Sequence, residues 1–243
     1  QAGFSGSITL VNDEPGLPYQ RPPLSKAYLL GKLDATRLLL RQESWYADQE
    51  VDLVEDRVVA IDREGHEVHL ATGASLPYDH LVLATGARNR TLTVPGADLD
   101  GVIGMRTKSD ADRLASRVDA GTNVVVVGAG FIGLEFAAVA AALGASVHVL
   151  ELADRPMARA VSRPTSEFFR AAHEAWKVTF DFDQGLEVLE GDLVELEADL
   201  LGDDLTAGED RHVLEHRLAA VAEAGGLDGD RLEGATDLVD HEG

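Results

Sequence analysis

The chain is built of short apolar runs set apart by turns and by stretches of helical spacing. Asn123–Val127 (NVVVV) has no polar residue between its valines, the mark of a strand covered on both faces, as parallel sheets require. It opens onto a glycine-rich turn, Gly128-Ala129-Gly130-Phe131-Ile132-Gly133, and then an alanine-rich helix to about Leu143. Gly144 ends that helix, and Ser146–Leu150 predicts the next strand. Upstream, residues 7–11 (SITLV) predict a short buried strand running into the turn cluster 12–16 (NDEPG). The proline-rich stretch 17–26 excludes regular helix and central strand, and a helix can start over 26–30 once the prolines are passed. Strand-like alternation at 56–61 and 67–70 is joined through Asp62-Arg63-Glu64-Gly65, a hairpin turn. Residues 78–85 (YDHLVLAT) predict an apolar strand ending at Gly86. Ser109 is the expected N-cap of a helix with Asp110 and Asp112 in its first turn, where the helix dipole favours anions. Residues 163–167 (RPTSE) cap a further helix, and 178–182 predict a strand. Strands alternating with helices make the expected fold class α/β with parallel sheet.

Composition narrows the chemistry. The 243 residues include no cysteine, which removes disulfide scaffolds, Cys-ligated zinc, iron–sulfur ligation and any thiol nucleophile. No run of 18 apolar residues predicts a membrane span, and no charged-then-apolar leader is visible, so a cytoplasmic location is expected. The net charge of −22 argues against a nucleic-acid partner, which needs basic surface to neutralise phosphates. That charge is uneven: residues 183–243 hold 19 acids and 3 bases, residues 1–182 hold 24 acids and 18 bases.

The glycine-rich turn carries the strongest chemical signal, because it has a strand before it, a helix after it and an acid at the end of the next strand. The first glycine (Gly128) allows the tight turn, the second (Gly130) lets backbone approach a pyrophosphate, and the third (Gly133) lets helix and strand pack closely. Bare N–H groups at the helix start hold phosphates without a lysine. Glu151 lies 18 residues after Gly133, where it can accept hydrogen bonds from both ribose hydroxyls of an NAD-type nucleotide. A carboxylate there repels a 2′-phosphate, so NAD(H) is favoured over NADP(H). The alternative is a glycine turn that only packs a helix on a strand and binds nothing.

Together with 8–15 (ITLVNDEP), 17–29 (LPYQRPPLSKAYL), 78–88 (YDHLVLATGAR), 105–114 (MRTKSDADRL) and 124–138 (VVVVGAGFIGLEFAA), this turn resembles the FAD- and NADH-dependent ferredoxin reductases that feed bacterial cytochromes P450 and ring-hydroxylating dioxygenases. The resemblance runs from Gln1 to about Phe182. It implies two Rossmann-like dinucleotide domains, both incomplete: residues 1–108 as part of an FAD domain and 109–182 as part of an NADH domain. In the FAD domain it implies Asp13 on the adenosine ribose and Arg21 and Lys26 toward the flavin and its phosphates. It also implies Val58 at adenine through its backbone, Thr85 and Gly86 by the diphosphate, and Arg106 on the cofactor from the crossover. In the NADH domain it implies Gly128, Gly130, Phe131, Ile132, Gly133 and Glu151 around the nucleotide, with Glu135 near the nicotinamide. Lys26 and Glu135 would flank flavin and nicotinamide, and no protein nucleophile is needed. The implied chemistry is electron transfer from NADH through FAD to a small iron–sulfur protein, a ferredoxin or rubredoxin, with the protein supplying binding, orientation and electrostatics. Related disulfide reductases keep a redox cysteine near the place of Pro22-Pro23-Leu24, and this chain cannot do that chemistry. Two other readings stay open: another enzyme of the same architecture, such as a nitrite reductase subunit, or an inactive truncated product.

The resemblance lacks the FAD domain's own first strand, glycine-rich turn and helix. It also lacks a later Gly-Asp segment and a C-terminal interface domain. Residues 183–243 are expected to be an acidic tail foreign to the family. Apart from Thr206 and Thr236, every residue there fits a codon beginning with G or C, as a GC-rich gene read out of frame would give. As genuine protein, the tail would be solvated and partly helical over 211–224. Its His212-Val213-Leu214-Glu215-His216 matches an inverted zincin pattern, but no third ligand accompanies it, so no metal is expected.

Overall fold

The computed structural model describes residues 4–189 and the backbone of 221 and 222. The chain divides into two compact units, Gln1–Gly86 and Ala87–Gly243. The segment 87–108, expected with the first domain, therefore falls in the second unit.

In the first unit, β1 (Ile8–Asn12) pairs in parallel with β2 (Val51–Glu55), Ile8 against Val51 through Asn12 against Glu55. β2 is not legible in the sequence, because its acids at 52 and 55 mask the apolar positions and its partner lies some forty residues away. Between them run two short helices, α1 (Ala35–Leu38) and α2 (Glu43–Asp48). Asp34 caps α1 by accepting from the Thr36 and Arg37 amides. A meander of β3 (Val58–Asp62), β4 (Glu67–Leu70) and β5 (Ser75–Pro77) follows, antiparallel throughout. Its first turn is the one expected: Asp62 accepts from the Glu64 and Gly65 amides at 3.0 and 2.8 Å. The bond from Gly65 leads in holding the Asp62 carboxyl below its ordinary range.

Two expectations in this unit are corrected. Residues 26–30 do not start an α-helix. Leu24–Tyr28 form a single wide turn interrupted at Lys26, whose backbone (φ −127°, ψ −108°) leaves the helical region. Residues 78–85 are not a strand. The segment is irregular, and Val82 and Leu83 are 84% and 67% exposed. Its apolar pattern was legible, but a strand exists only through a hydrogen-bonded neighbour, and none of the described strands pairs with it.

The second unit is built on a parallel sheet of order β8-β7-β6-β9. Its strands are β6 (Asn123–Val127), β7 (Ser146–Leu150), β8 (Thr179–Asp181) and β9 (Val221–Ala222). Helix α3 (Lys108–Ala115) precedes β6, α4 (Phe131–Ala142) joins β6 to β7, and α5 (Arg163–Ala175) joins β7 to β8. Val221 and Ala222 pair with Val126 and Val127 as strand, not as part of a helix over 211–224, because β6 offers them a parallel edge. The rest of the acidic tail from 190 onward, including the 212–216 pattern, lies outside the described residues.

The core of this unit alternates across the sheet. Val124, Val126, Val147 and Val149 are buried together with Leu134, Phe136, Ala137 and Ala140 of α4. On the opposite face Val125 and Leu150 make a smaller cluster with Val127 and Leu186. Buried His173 of α5 sets its ring nitrogens 2.8 Å from the Phe169 carbonyl and 3.0 Å from the Leu134 carbonyl, joining α5 to the first turns of α4.

The N-cap of α3 is Thr107, not Ser109. The Thr107 hydroxyl accepts from the Asp110 amide, and the Asp110 carboxylate accepts from the Thr107 amide, a reciprocal capping box. Replacing Thr107 by Ala is expected to cost about 1 kcal/mol, read as a lower denaturation midpoint at unchanged slope.

Candidate functional site

The site of the second unit is the glycine-rich turn between β6 and α4. Gly128 has φ of 105°, a conformation that side chains resist, and its amide donates to the Leu150 carbonyl at 2.8 Å. A Cβ on Gly133 would stand 2.1 Å from the Gly128 carbonyl oxygen and 3.2 Å from Val126 Cγ1. Gly133 therefore brings the first turn of α4 directly onto the strand end. Gly130 is the helix N-cap, and no side chain caps α4. The donors that begin the helix are left for an anion, and the helix dipole adds to their pull.

Glu151 directly follows β7. One carboxylate oxygen accepts from the Ala129 amide at 2.6 Å and the other from the Ala153 amide at 2.8 Å. Beyond it, Asp154 pairs with Arg155 and with Arg163, and the bond from Arg163 leads in holding the Asp154 carboxyl below its usual range. The Arg155 guanidinium also donates to the Ala158 carbonyl at 2.8 Å. Thus Gly128, Gly130, Phe131, Ile132, Gly133 and Glu151, all expected around a nucleotide, converge on one strand-end turn. Phe131 is 54% exposed at the helix start, and Glu135 is half-buried one turn along the same helix. The Ala129 and Ala153 amides complete the arrangement. They are not legible in the sequence, because a backbone donor leaves no residue signature.

The residues fit an NAD-type nucleotide: an uncapped helix start for the diphosphate, a glycine where a Cβ would strike backbone, and a carboxylate placed for the ribose.

In the first unit, Asp13 follows β1 as Glu151 follows β7, and it is exposed. Arg21 pairs with Glu14 and lies over the Tyr19 ring, and Tyr19 also donates to Glu14. Lys26 is exposed and donates to the Pro22 carbonyl at 3.1 Å. Val58 opens β3 at 39% exposure, and Thr85 and Gly86 are exposed on the segment after the meander. Arg106, in the second unit, donates its backbone N–H to Asp110 at 3.0 Å. For FAD these residues supply a ribose acid and cations but no glycine-rich turn at the end of a described strand, so the fit is partial. Among the described residues no group of His, Asp or Glu is placed to hold a metal ion, and no helix is long and apolar enough to cross a membrane.

Comparison with known proteins finds relatives over most of the described chain. Rhodocoxin reductase of Rhodococcus erythropolis is 50% identical over 188 residues, 77% of this chain but 44% of that protein. The crystal structure of the ferredoxin reductase for the CYP199A2 system of Rhodopseudomonas palustris superposes with a TM-score of 0.75 at 46% identity, over 82% of this chain and 48% of that one. The reductase in the covalent putidaredoxin reductase–putidaredoxin complex gives 0.76 at 37% identity, over 79% and 47%. The chain spans less than half the length of these relatives. The family model described as pyridine nucleotide-disulphide oxidoreductase matches residues 1–215, past the Phe182 at which the resemblance was expected to end. The family implies FAD and NADH as cofactors, and this chain contains no cysteine. The chain belongs to the pyridine nucleotide-disulphide oxidoreductase family.

Proposed function

We propose that the protein containing this chain is an NADH-dependent flavoprotein reductase that passes electrons through FAD to a small iron–sulfur protein, a ferredoxin or rubredoxin serving an oxygenase. The observation that carries the reading is the turn of the second unit, with Glu151 fixed beside Ala129 at 2.6 Å. Its cofactor-binding residues are Gly128, Gly130, Phe131, Ile132, Gly133, Glu135 and Glu151 for NADH, and Asp13, Arg21, Lys26, Val58, Thr85, Gly86 and Arg106 for FAD. We assign residues 1–108 to the FAD domain and 109–182 to the NADH domain by the cofactor each would hold, although 87–108 lie in the second compact unit, and we place the protein in the cytoplasm.

Bound flavin supplies the exchange between a two-electron donor and one-electron acceptors. The chain's own residues do the rest. The start of α4 orients the diphosphate, Gly133 sets how deeply it sits, and the Glu151 carboxylate takes the ribose hydroxyls and rejects a 2′-phosphate. Lys26 would place positive charge near the flavin, where it offsets the negative charge of reduction. Glu135 would lie near the nicotinamide.

The test is anaerobic addition of NADH to the flavin-loaded protein. Loss of the oxidised flavin's absorbance, followed by reduction of a ferredoxin or rubredoxin, is the expected result. A flavin that stays oxidised, or reduced flavin that passes no electron to either carrier, would contradict the reading.

A further inference from the structure

Glu151 does more in this structure than wait for a ribose. Its two oxygens accept from Ala129, 22 residues upstream, and from Ala153, at 2.6 and 2.8 Å. Ala129 is fully buried, and its other side is held as well: its carbonyl accepts from the Met157 amide at 2.9 Å. Met157 is itself buried and adopts φ of 50°, a left-handed conformation that a non-glycine residue holds only when its surroundings enforce it. The neighbouring Gly128 amide donates to Leu150. The three successive peptide groups from Val127 to Gly130 are therefore tied to residues 150–157.

We infer that Glu151 is a positioning residue for the glycine-rich turn, holding Ala129 in the phosphate-receiving conformation before any nucleotide arrives. This rests on the nucleotide reading of the site and adds a role independent of ribose recognition. Each carboxylate oxygen can accept more than one hydrogen bond, so holding the turn leaves acceptor capacity for the ribose hydroxyls. The same two amides keep the carboxylate from swinging aside to admit a 2′-phosphate. Rejection of NADPH is thus built into the backbone around Glu151.

The two roles predict opposite signs for one measurement. A diphosphate nucleotide lacking both ribose hydroxyls, 2′,3′-dideoxyadenosine diphosphate, cannot use Glu151 as a ribose acceptor. If Glu151 acted only on ribose, Glu151→Ala would leave this probe unchanged or bind it more tightly, since a negative charge near its phosphates is gone. If Glu151 holds the turn, Glu151→Ala weakens the probe by about tenfold, the scale of one lost hydrogen bond to a charged group. Glu151→Gln keeps one acceptor oxygen and falls between. Amide hydrogen exchange in the nucleotide-free chain gives a second readout: Ala129 is expected to exchange about tenfold faster in Glu151→Ala. A thermal melt confirms that each variant is folded, and Glu151→Gln carries the test if Glu151→Ala is not. Unchanged exchange at Ala129, with probe affinity equal or improved, would overturn the inference. A wild-type chain that binds neither NADH nor the probe would sink the nucleotide reading, and exchange at Ala129 would still decide the positioning role.

Discussion

Gly133→Val is expected to reduce NADH affinity by about a hundredfold, which corresponds to about 2.7 kcal/mol. The cause is geometric. A Cβ on Gly133 would sit 2.1 Å from the Gly128 carbonyl oxygen, and that oxygen belongs to a backbone that cannot give way alone. Gly128 is held at φ of 105° and tied to Leu150, so relief requires moving the turn or lifting α4 off β6. Either movement takes the helix donors away from the diphosphate. Gly133→Ala should act in the same direction with smaller size. Calorimetric titration with NADH reads the effect, and circular dichroism shows whether α4 persists. Undiminished affinity in folded Gly133→Val would mean that the close approach of helix and strand does not set the site.

The largest stability effect is expected at Phe136. Its side chain is fully buried on α4, as are Ala140 of the same helix and Val126 and Val149 of the sheet. Truncation to Ala removes an aromatic ring from a close-packed core and is expected to cost about 3–5 kcal/mol. That is a large part of the stability of an ordinary domain. Phe168 on α5 is the control: it is 68% exposed, and Phe168→Ala should change stability by about 0.5 kcal/mol or less. Equal costs at the two positions in chemical denaturation would contradict the assignment of the core.

These effects fall where the sequence was most legible. NVVVV, the glycine-rich turn and the alanine-rich helix constrain one another at short range, and the structure reproduces them within a residue or two. The same holds for β7 and α5, whose limits follow from local pattern and from Pro164 in the first turn. What escaped depended on partners distant in the chain. β2 owes its existence to pairing with β1, and the apolar run 78–85 has no strand partner among the described residues. The N-cap of α3 was misplaced by two residues because Ser109 is a good cap residue in isolation, whereas Thr107 and Asp110 satisfy each other. In the site, the side chains were legible as types at fixed spacing. The amides of Ala129 and Ala153, which fix Glu151, were not, because backbone donors look alike in sequence.

The most direct test of the nucleotide site is a paired titration of the chain with NADH and NADPH, followed by nicotinamide fluorescence. The predicted result is saturable binding of NADH to one site, with NADPH weaker by about tenfold or more because its 2′-phosphate meets the fixed Glu151 carboxylate. Equal affinity for the two nucleotides, or no saturable binding of NADH, would contradict the account.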